Sequence, residues 1–313
     1  MKNTAQLSSY LIVIAVFLVS CAPEKTHPNH PDWPTHLTMA YLPDEEQPGR
    51  RLSMYESLET YLEEQLNLEV NVVKTTLYGP VVEAMISEKI DIAYFSAFSY
   101  LIASSKGAAE SLVMRQGPDL KPRVYYSHIV VHSDSDIYSI DNLVSKGKEL
   151  TFSFVNPAST SGHLIPRAHL EREGIVPEGT FKEMVYSGSQ HGTIYSLLGK
   201  KVDAAAFGSA NLKKAIRSGR IDPKEFRIIW TSPAIPAGCT AARKNLPESF
   251  KEAVKTAFIE METQSPETFE LIQSIYREYL DEGEEPGGYT LCPDSVFDPL
   301  RNLTKSIKQL NML

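Results

Sequence analysis

Apolar residues along this chain recur with two periods, and the two periods alternate. His36 to Leu42 alternates apolar and polar positions, as a half-buried strand does. Leu52, Tyr55, Leu58, Leu62 and Leu66 then fall on one helical face, and Leu68 to Val73 is strand-like again. Gly79-Pro80 predicts a helix start, with proline at a tolerated early position. That helix runs to Lys89 and yields to the apolar strand Ile90 to Ser96. Strand-like runs follow at Tyr126 to Val131, Leu150 to Val155, Val202 to Gly208 and Phe226 to Thr231. Thr193 to Lys201 reads as a helix, and Phe250, Val254, Ala257, Phe258 and Met261 share one face of another.

One phrase occurs twice. Lys89-Ile90-Asp91 matches Lys201-Val202-Asp203, Ala93 matches Ala205 and Phe95 matches Phe207, at identical spacing and each after a helix. Two copies imply two lobes of related design. The pattern predicts an α/β protein whose lobes are each a mostly parallel sheet flanked by helices, since buried parallel strands read as near-continuous apolar runs. Asp91 and Asp203 read as solvated residues at strand starts. Lobe 1 is expected from residues 36–126 plus 232–313 and lobe 2 from 127–231. The Tyr126 and Thr231 runs are the two crossings, and two crossings permit hinge closure.

The N-terminus changes the picture of compartment. Lys2 precedes an apolar run from Tyr10 to Val19, about ten residues and too short for a span of ~20. Residues 1–20 read as an export signal. Leu18-Val19-Ser20-Cys21 resembles the bacterial lipoprotein box, which implies lipid on Cys21, a bacterial membrane anchor and a tether over residues 21–35. The net charge of −8, from 31 Lys and Arg against 39 Asp and Glu, argues against nucleic acid. Export permits a disulfide between Cys239 and Cys292, and the spacing leaves it undecided.

The candidate chemistry sits after the Leu150 to Val155 strand. A turn, Asn156-Pro157-Ala158, leads to Ser159-Thr160-Ser161-Gly162, and His163 to Leu170 can start a helix. The first N–H groups of a helix lack internal partners and carry partial positive charge. Ser and Thr add hydroxyl donors, and Gly lets a ligand approach the backbone. Taken alone, the segment is either an ordinary N-cap or an anion cradle.

The rest of the chain decides between them. Tyr78 to Met85, Ile90 to Phe95, Phe154 to Gly162, Tyr186-Ser187-Gly188-Ser189 and Ser232-Pro233-Ala234-Ile235-Pro236, in that order, resemble the phosphate/phosphite/phosphonate-binding components of ABC transporters. The resemblance implies a type II periplasmic-binding-protein fold, capture of a small phosphorus oxyanion between lobes, and delivery to an ABC permease by a monomer needing no cofactor. A sensory module of the same fold, signalling to a membrane receptor, is the alternative. Carried over by position, Ser159, Thr160 and Ser161 bind the phosphonyl oxygens and Tyr78 contacts the ligand. Tyr94 and Phe95 are either cleft or core residues.

Two positions depart from the family pattern. Gln190 stands where a His is usual, with His191 next, so the donor there is neutral at Gln190. Pro236-Ala237-Gly238-Cys239 lacks the carboxylate that meets an aminoalkyl ligand's ammonium, which points to phosphate, phosphite or methylphosphonate. Enzyme readings find little support. His163 and His169 do not share a helix face, and no Gly-x-Ser-x-Gly elbow, Cys-x-x-Cys pair or phosphate-binding glycine loop occurs.

Overall fold

A computed structural model describes residues 27, 30–41, 48–74, 77–117, 120–305 and 307. The expected export signal and Cys21 lie outside them, but the described part of the expected tether docks on the body. His27 is buried with Nε2 3.1 Å from Leu66 O, and Trp33 Nε1 donates to Ser249 Oγ at 2.9 Å.

The first half of the chain alternates as its periodicity requires. In order come β1 (His36–Tyr41), α1 (Pro48–Leu66), β2 (Glu69–Lys74), α2 (Tyr78–Ile86), β3 (Ile92–Phe95), α3 (Ala97–Ser105), β4 (Ala109–Arg115) and β5 (Val124–Tyr125). The second lobe holds β6 (Ser127–His132), α4 (Ile140–Ser145), β7 (Thr151–Phe154), α5 (Ile165–Arg172), α6 (Pro177–Thr180), β8 (Glu183–Tyr186), α7 (Gln190–Leu198), β9 (Ala204–Gly208), α8 (Ser209–Arg217) and β10 (Phe226–Thr231). The chain then returns through β11 (Ile235–Pro236), β12 (Cys239–Arg243), α9 (Glu248–Gln264), α10 (Pro266–Tyr276), β13 (Tyr289–Leu291) and α11 (Asp298–Thr304).

Among the described residues two large sheets result, ordered β13-β4-β12-β3-β1-β2 and β10-β6-β9-β7-β8, with β5 and β11 as a separate two-stranded pair. β1, β2 and β3 are mutually parallel, as are β7, β8 and β9. β12 runs antiparallel between β3 and β4, and β6 antiparallel between β9 and β10. The sheets are therefore mixed, where mostly parallel ones were expected. The reversal follows from the crossings. The loops after β3, β7 and β9 face the other lobe, so a chain arriving from that lobe must run back against those strands. The crossings themselves are pinned side by side, because β5 and β11 pair antiparallel, Tyr125 opposite Ile235 and Val124 opposite Pro236.

The sequence repeat has a physical counterpart. Asp91 Oδ2 accepts from Thr38 N at 2.8 Å, and Asp91 N donates to Thr38 O at 2.9 Å. Asp203 Oδ2 accepts from Thr151 N at 2.7 Å, and Asp203 N donates to Thr151 O at 2.9 Å. Each Asp thus ties the start of one parallel strand to its neighbour. Asp203 is solvated as expected. Asp91 is not: it is buried, and its Oδ1 accepts from Arg243 Nη2 at 2.8 Å.

Packing follows strand alternation. One face of the six-stranded sheet carries Leu37 and Met39 against Leu58 and Leu62 of α1 and Phe250, Val254 and Phe258 of α9. The other carries Ala40, Ala93 and Phe95 against Val82 and Met85 of α2 and Phe98 of α3. Cys239 and Cys292 meet within that second core as buried free thiols, hydrogen-bonded rather than bridged.

Candidate functional site

The hydroxyl loop begins with a cap. Ser159 Oγ accepts from Gly162 N at 3.1 Å. Thr160 to Leu164 forms a π-helical turn, Leu164 N donating to Ser159 O at 3.0 Å, before the chain settles into α5. Such turns occur mostly at functional sites. Gly162 has a different role from the one expected: a Cβ there would lie 2.2 Å from Val155 Cγ2. The missing side chain lets the loop pack on the buried Val155, rather than clearing room for a ligand.

Thr160 and Ser161 face a cavity of about 430 Å³ between the two sheets. Thr160 Oγ1 accepts from Phe98 N, in the first turn of α3, at 2.8 Å, which joins the lobes at the loop and leaves the hydroxyl proton to donate. Ser161 Oγ accepts from Gln190 Nε2 at 3.4 Å, while Gln190 Oε1 accepts from Gly208 N at 3.0 Å. The second bond fixes the amide so that its NH₂ faces the loop. The Tyr78 hydroxyl lies near Gln190 and Ser159, and the Tyr125 hydroxyl near Ser161 and Thr160. Burial pushes the Tyr78 phenol up and the Tyr125 phenol to about 12, so both stay protonated donors at neutral pH.

Five helix N-termini converge here. Tyr78 opens α2, Ser96 precedes α3, Ser159 precedes the π turn, Gln190 opens α7 and Ser209 opens α8, and all five residues line the cavity. Each end brings unpaired N–H groups and partial positive charge, so an anion is favoured without a dedicated cation. The cavity's Arg123 and Lys213 each pair with a carboxylate: Arg123 Nη2 lies 3.2 Å from Glu284 Oε2, its buried Nη1 having no partner among the described residues, and Lys213 Nζ lies 2.5 Å from Asp281 Oδ2.

Of the residues singled out by sequence, Tyr78, Tyr94, Ser159, Thr160, Ser161, Gln190 and His191 all line this cavity. Phe95 does not. Alternation along β3 turns it to the opposite face, where it is wholly buried in the core. His163 points away, its Nδ1 2.8 Å from Pro157 O and its Nε2 3.1 Å from the Tyr186 hydroxyl; burial pushes its pKa down to about 4. Gly238 has no room for the absent carboxylate, since a Cβ would lie 1.9 Å from Phe95 O. Tyr125, Tyr41 and Tyr276 escaped the sequence reading. Tyr125 sits one residue from the first crossing, a position that could have flagged it. Tyr276 reaches the cavity from α10, over a sequence distance that no local pattern spans.

The family described as "ABC transporter, phosphonate, periplasmic substrate-binding protein" matches residues 39–284. The chain belongs to this family of periplasmic phosphonate-binding proteins. Its members are transport binding proteins. Within the family, the phosphonates-binding periplasmic protein of Escherichia coli is 30% identical over 198 residues, 63% of this chain and 58% of that protein, so the chain spans somewhat over half of that relative. The phosphate-import protein PhnD of Mycolicibacterium smegmatis is 29% identical over 238 residues, 72% of each chain. Among solved structures, a binding protein component of a Pseudomonas aeruginosa ABC phosphonate transporter aligns with a TM-score of 0.73 at 21% identity, covering 86% of this chain and 85% of that one. PhnD1 of Prochlorococcus marinus, in complex with methylphosphonate, aligns with a TM-score of 0.72 at 20% identity over 89% and 99%. The chain shares the fold of these two structures over 86% and 89% of its length.

Proposed function

We propose that this protein captures a small phosphorus oxyanion between its lobes and presents it to an ABC permease, without chemical turnover. Residues 36–126 with 232–313 form one rigid lobe, 127–231 the other, and the paired β5 and β11 strands are the pivot. Ser159, Thr160 and Ser161 meet the phosphonyl oxygens, Tyr78, Tyr125 and Gln190 complete the donor set, and His191 lines the same wall. The mature protein is a monomer, held to the membrane by lipid on Cys21.

The observation that carries this reading is the convergence of five helix N-termini with hydroxyl and amide donors on one cavity. Fixed dipoles and donors suit an anion whose charge is spread over three oxygens. Relatives named for phosphonates and for phosphate import, and a neighbour holding methylphosphonate, supply the ligand class. The test is calorimetric titration with methylphosphonate and phosphate. Ser161→Ala and Gln190→Ala are each expected to weaken binding by about 1–3 kcal/mol, the cost of an unmade bond to a charged group. Affinity unchanged in both variants would refute the site.

A further inference from the structure

Inorganic phosphate and methylphosphonate each have five heavy atoms, and since bonded atoms take less room than separate waters at about 30 Å³ each, either ion fills less than roughly 150 Å³. The cavity holds about 430 Å³. Beside the charged Arg123, Lys213, Asp281 and Glu284, the cavity has an apolar wall made by Tyr41, Met54, Tyr94, Ile275, Tyr276 and Leu280.

The wall is built, not incidental. Tyr41 and Tyr94 stack with centroids 5.4 Å apart and planes 14° from parallel. The Tyr41 and Tyr276 hydroxyls bond at 2.9 Å. Arg115, only 2% exposed, places its guanidinium 4.1 Å from the Tyr276 ring centre and 4.7 Å from that of Tyr289. A wall fixed by a stack, a bond and a buried cation keeps its shape before ligand arrives, which lowers the ordering cost of binding.

The same cation bears on the charge of what can lie there. A ring face attracts cations through its quadrupole, but the Tyr276 ring already has Arg115 over it. An ammonium brought to that ring meets a second positive charge nearby. The cavity's carboxylates, Asp281 and Glu284, are held by Lys213 and Arg123. An uncharged apolar or aromatic group meets neither objection.

Resting on the anion site proposed above, we infer that the favoured ligand is an organophosphonate with an apolar alkyl or aryl substituent, its phosphonyl group on the hydroxyl loop and its substituent against Tyr94 and Tyr276. The inorganic anion and methylphosphonate leave the wall uncovered. Aminoalkyl phosphonates are disfavoured by Arg115 as well as by the absence of a carboxylate at Gly238.

The test is calorimetric titration of the ligand-free full chain with phosphate, methylphosphonate, 2-aminoethylphosphonate, butylphosphonate and phenylphosphonate. Butyl- or phenylphosphonate is expected to bind at least tenfold tighter than methylphosphonate, given the apolar area each buries. Tyr276→Ala should cut that ratio to below threefold, Tyr276→Phe should keep it, and Tyr94→Ala serves if Tyr276→Ala does not fold. Methylphosphonate, phosphate or 2-aminoethylphosphonate binding as tightly as the substituted ligands would overturn the inference while leaving the anion site standing. Binding of none of the five would overturn the anion site, and the inference with it.

Discussion

Gly162 lies where the hydroxyl loop presses on the core of its own lobe. A glycine in a Ser-Thr-Ser-Gly loop suggests backbone access for a ligand. Its Cβ position instead lies 2.2 Å from Val155 Cγ2, inside the lobe. Gly162→Ala is therefore expected to act first on stability. It should cost about 1–3 kcal/mol through overpacking, measured by thermal melting. A Val155→Ala change in the same chain would not restore it, because Val155 Cβ, which alanine keeps, lies 2.5 Å from the same position. Ser159 likewise has two roles: its Oγ caps the π turn through Gly162 N and also lies near the Tyr78 hydroxyl. Ser161, whose hydroxyl accepts from Gln190 and lies near that of Tyr125, reports more directly on the ligand.

At the scale of elements, the repeat carries a prediction of its own. Both aspartates bridge parallel strands at their starts, but Asp91 also holds Arg243, which in turn reaches Glu88 at 2.8 Å. Asp91→Ala should cost about 1–3 kcal/mol by stranding the Thr38 N–H and the guanidinium. Asp203→Ala, at an exposed site, should cost about 0.5–1.5 kcal/mol. Chemical denaturation of both variants checks the order. Part of this layer was legible in the sequence: the periods gave β1, β2, β3, β6, β7, β9 and β10 with α1, α2, α5, α7 and α9, and the Lys-Ile-Asp and Lys-Val-Asp phrases gave the kinship of the lobes. Local pattern does not encode direction within a sheet, so β6 came out reversed, and the short β12, with no alternation of its own, was not read as a strand. Nor does it say which side of a buried strand faces a neighbour, so Tyr94 and Phe95 could be told apart only by the fold. The loop residues were readable because a strand, a turn and a helix start are contiguous. Tyr41 and Tyr276 were not, because their meeting depends on α10 packing back on the first sheet.

The molecule as a whole closes through α8. Lys213 pairs with Asp281, and Lys214 Nζ lies 3.5 Å from Glu278 Oε2 and 4.9 Å from the Tyr279 ring centre. Burial in this contact, with Arg220 adding to it and Glu278 opposing, pushes the Lys214 pKa down to about 8 from 10.5. Parting α8 from this segment is expected to expose the ammonium and return it toward its ordinary value. Between those two pH values the open form therefore binds more protons than the closed one, and raising pH favours closure. Affinity for methylphosphonate should rise between pH 8 and 9.5, and Lys214→Met should remove that part of the rise. An equal pH dependence in both proteins would show that the ligand alone titrates.

The six-stranded sheet has an order of completion written into its connectivity. β12 sits near its centre, between β3 and β4, yet it follows the entire second lobe in the chain. During synthesis β6 to β10 can assemble as soon as they emerge. The first lobe must wait with a gap between β3 and β4 until residue 243 has appeared. The half that begins the protein is thus the half that finishes last, and two unpaired strand edges stay open to wrong partners while it waits.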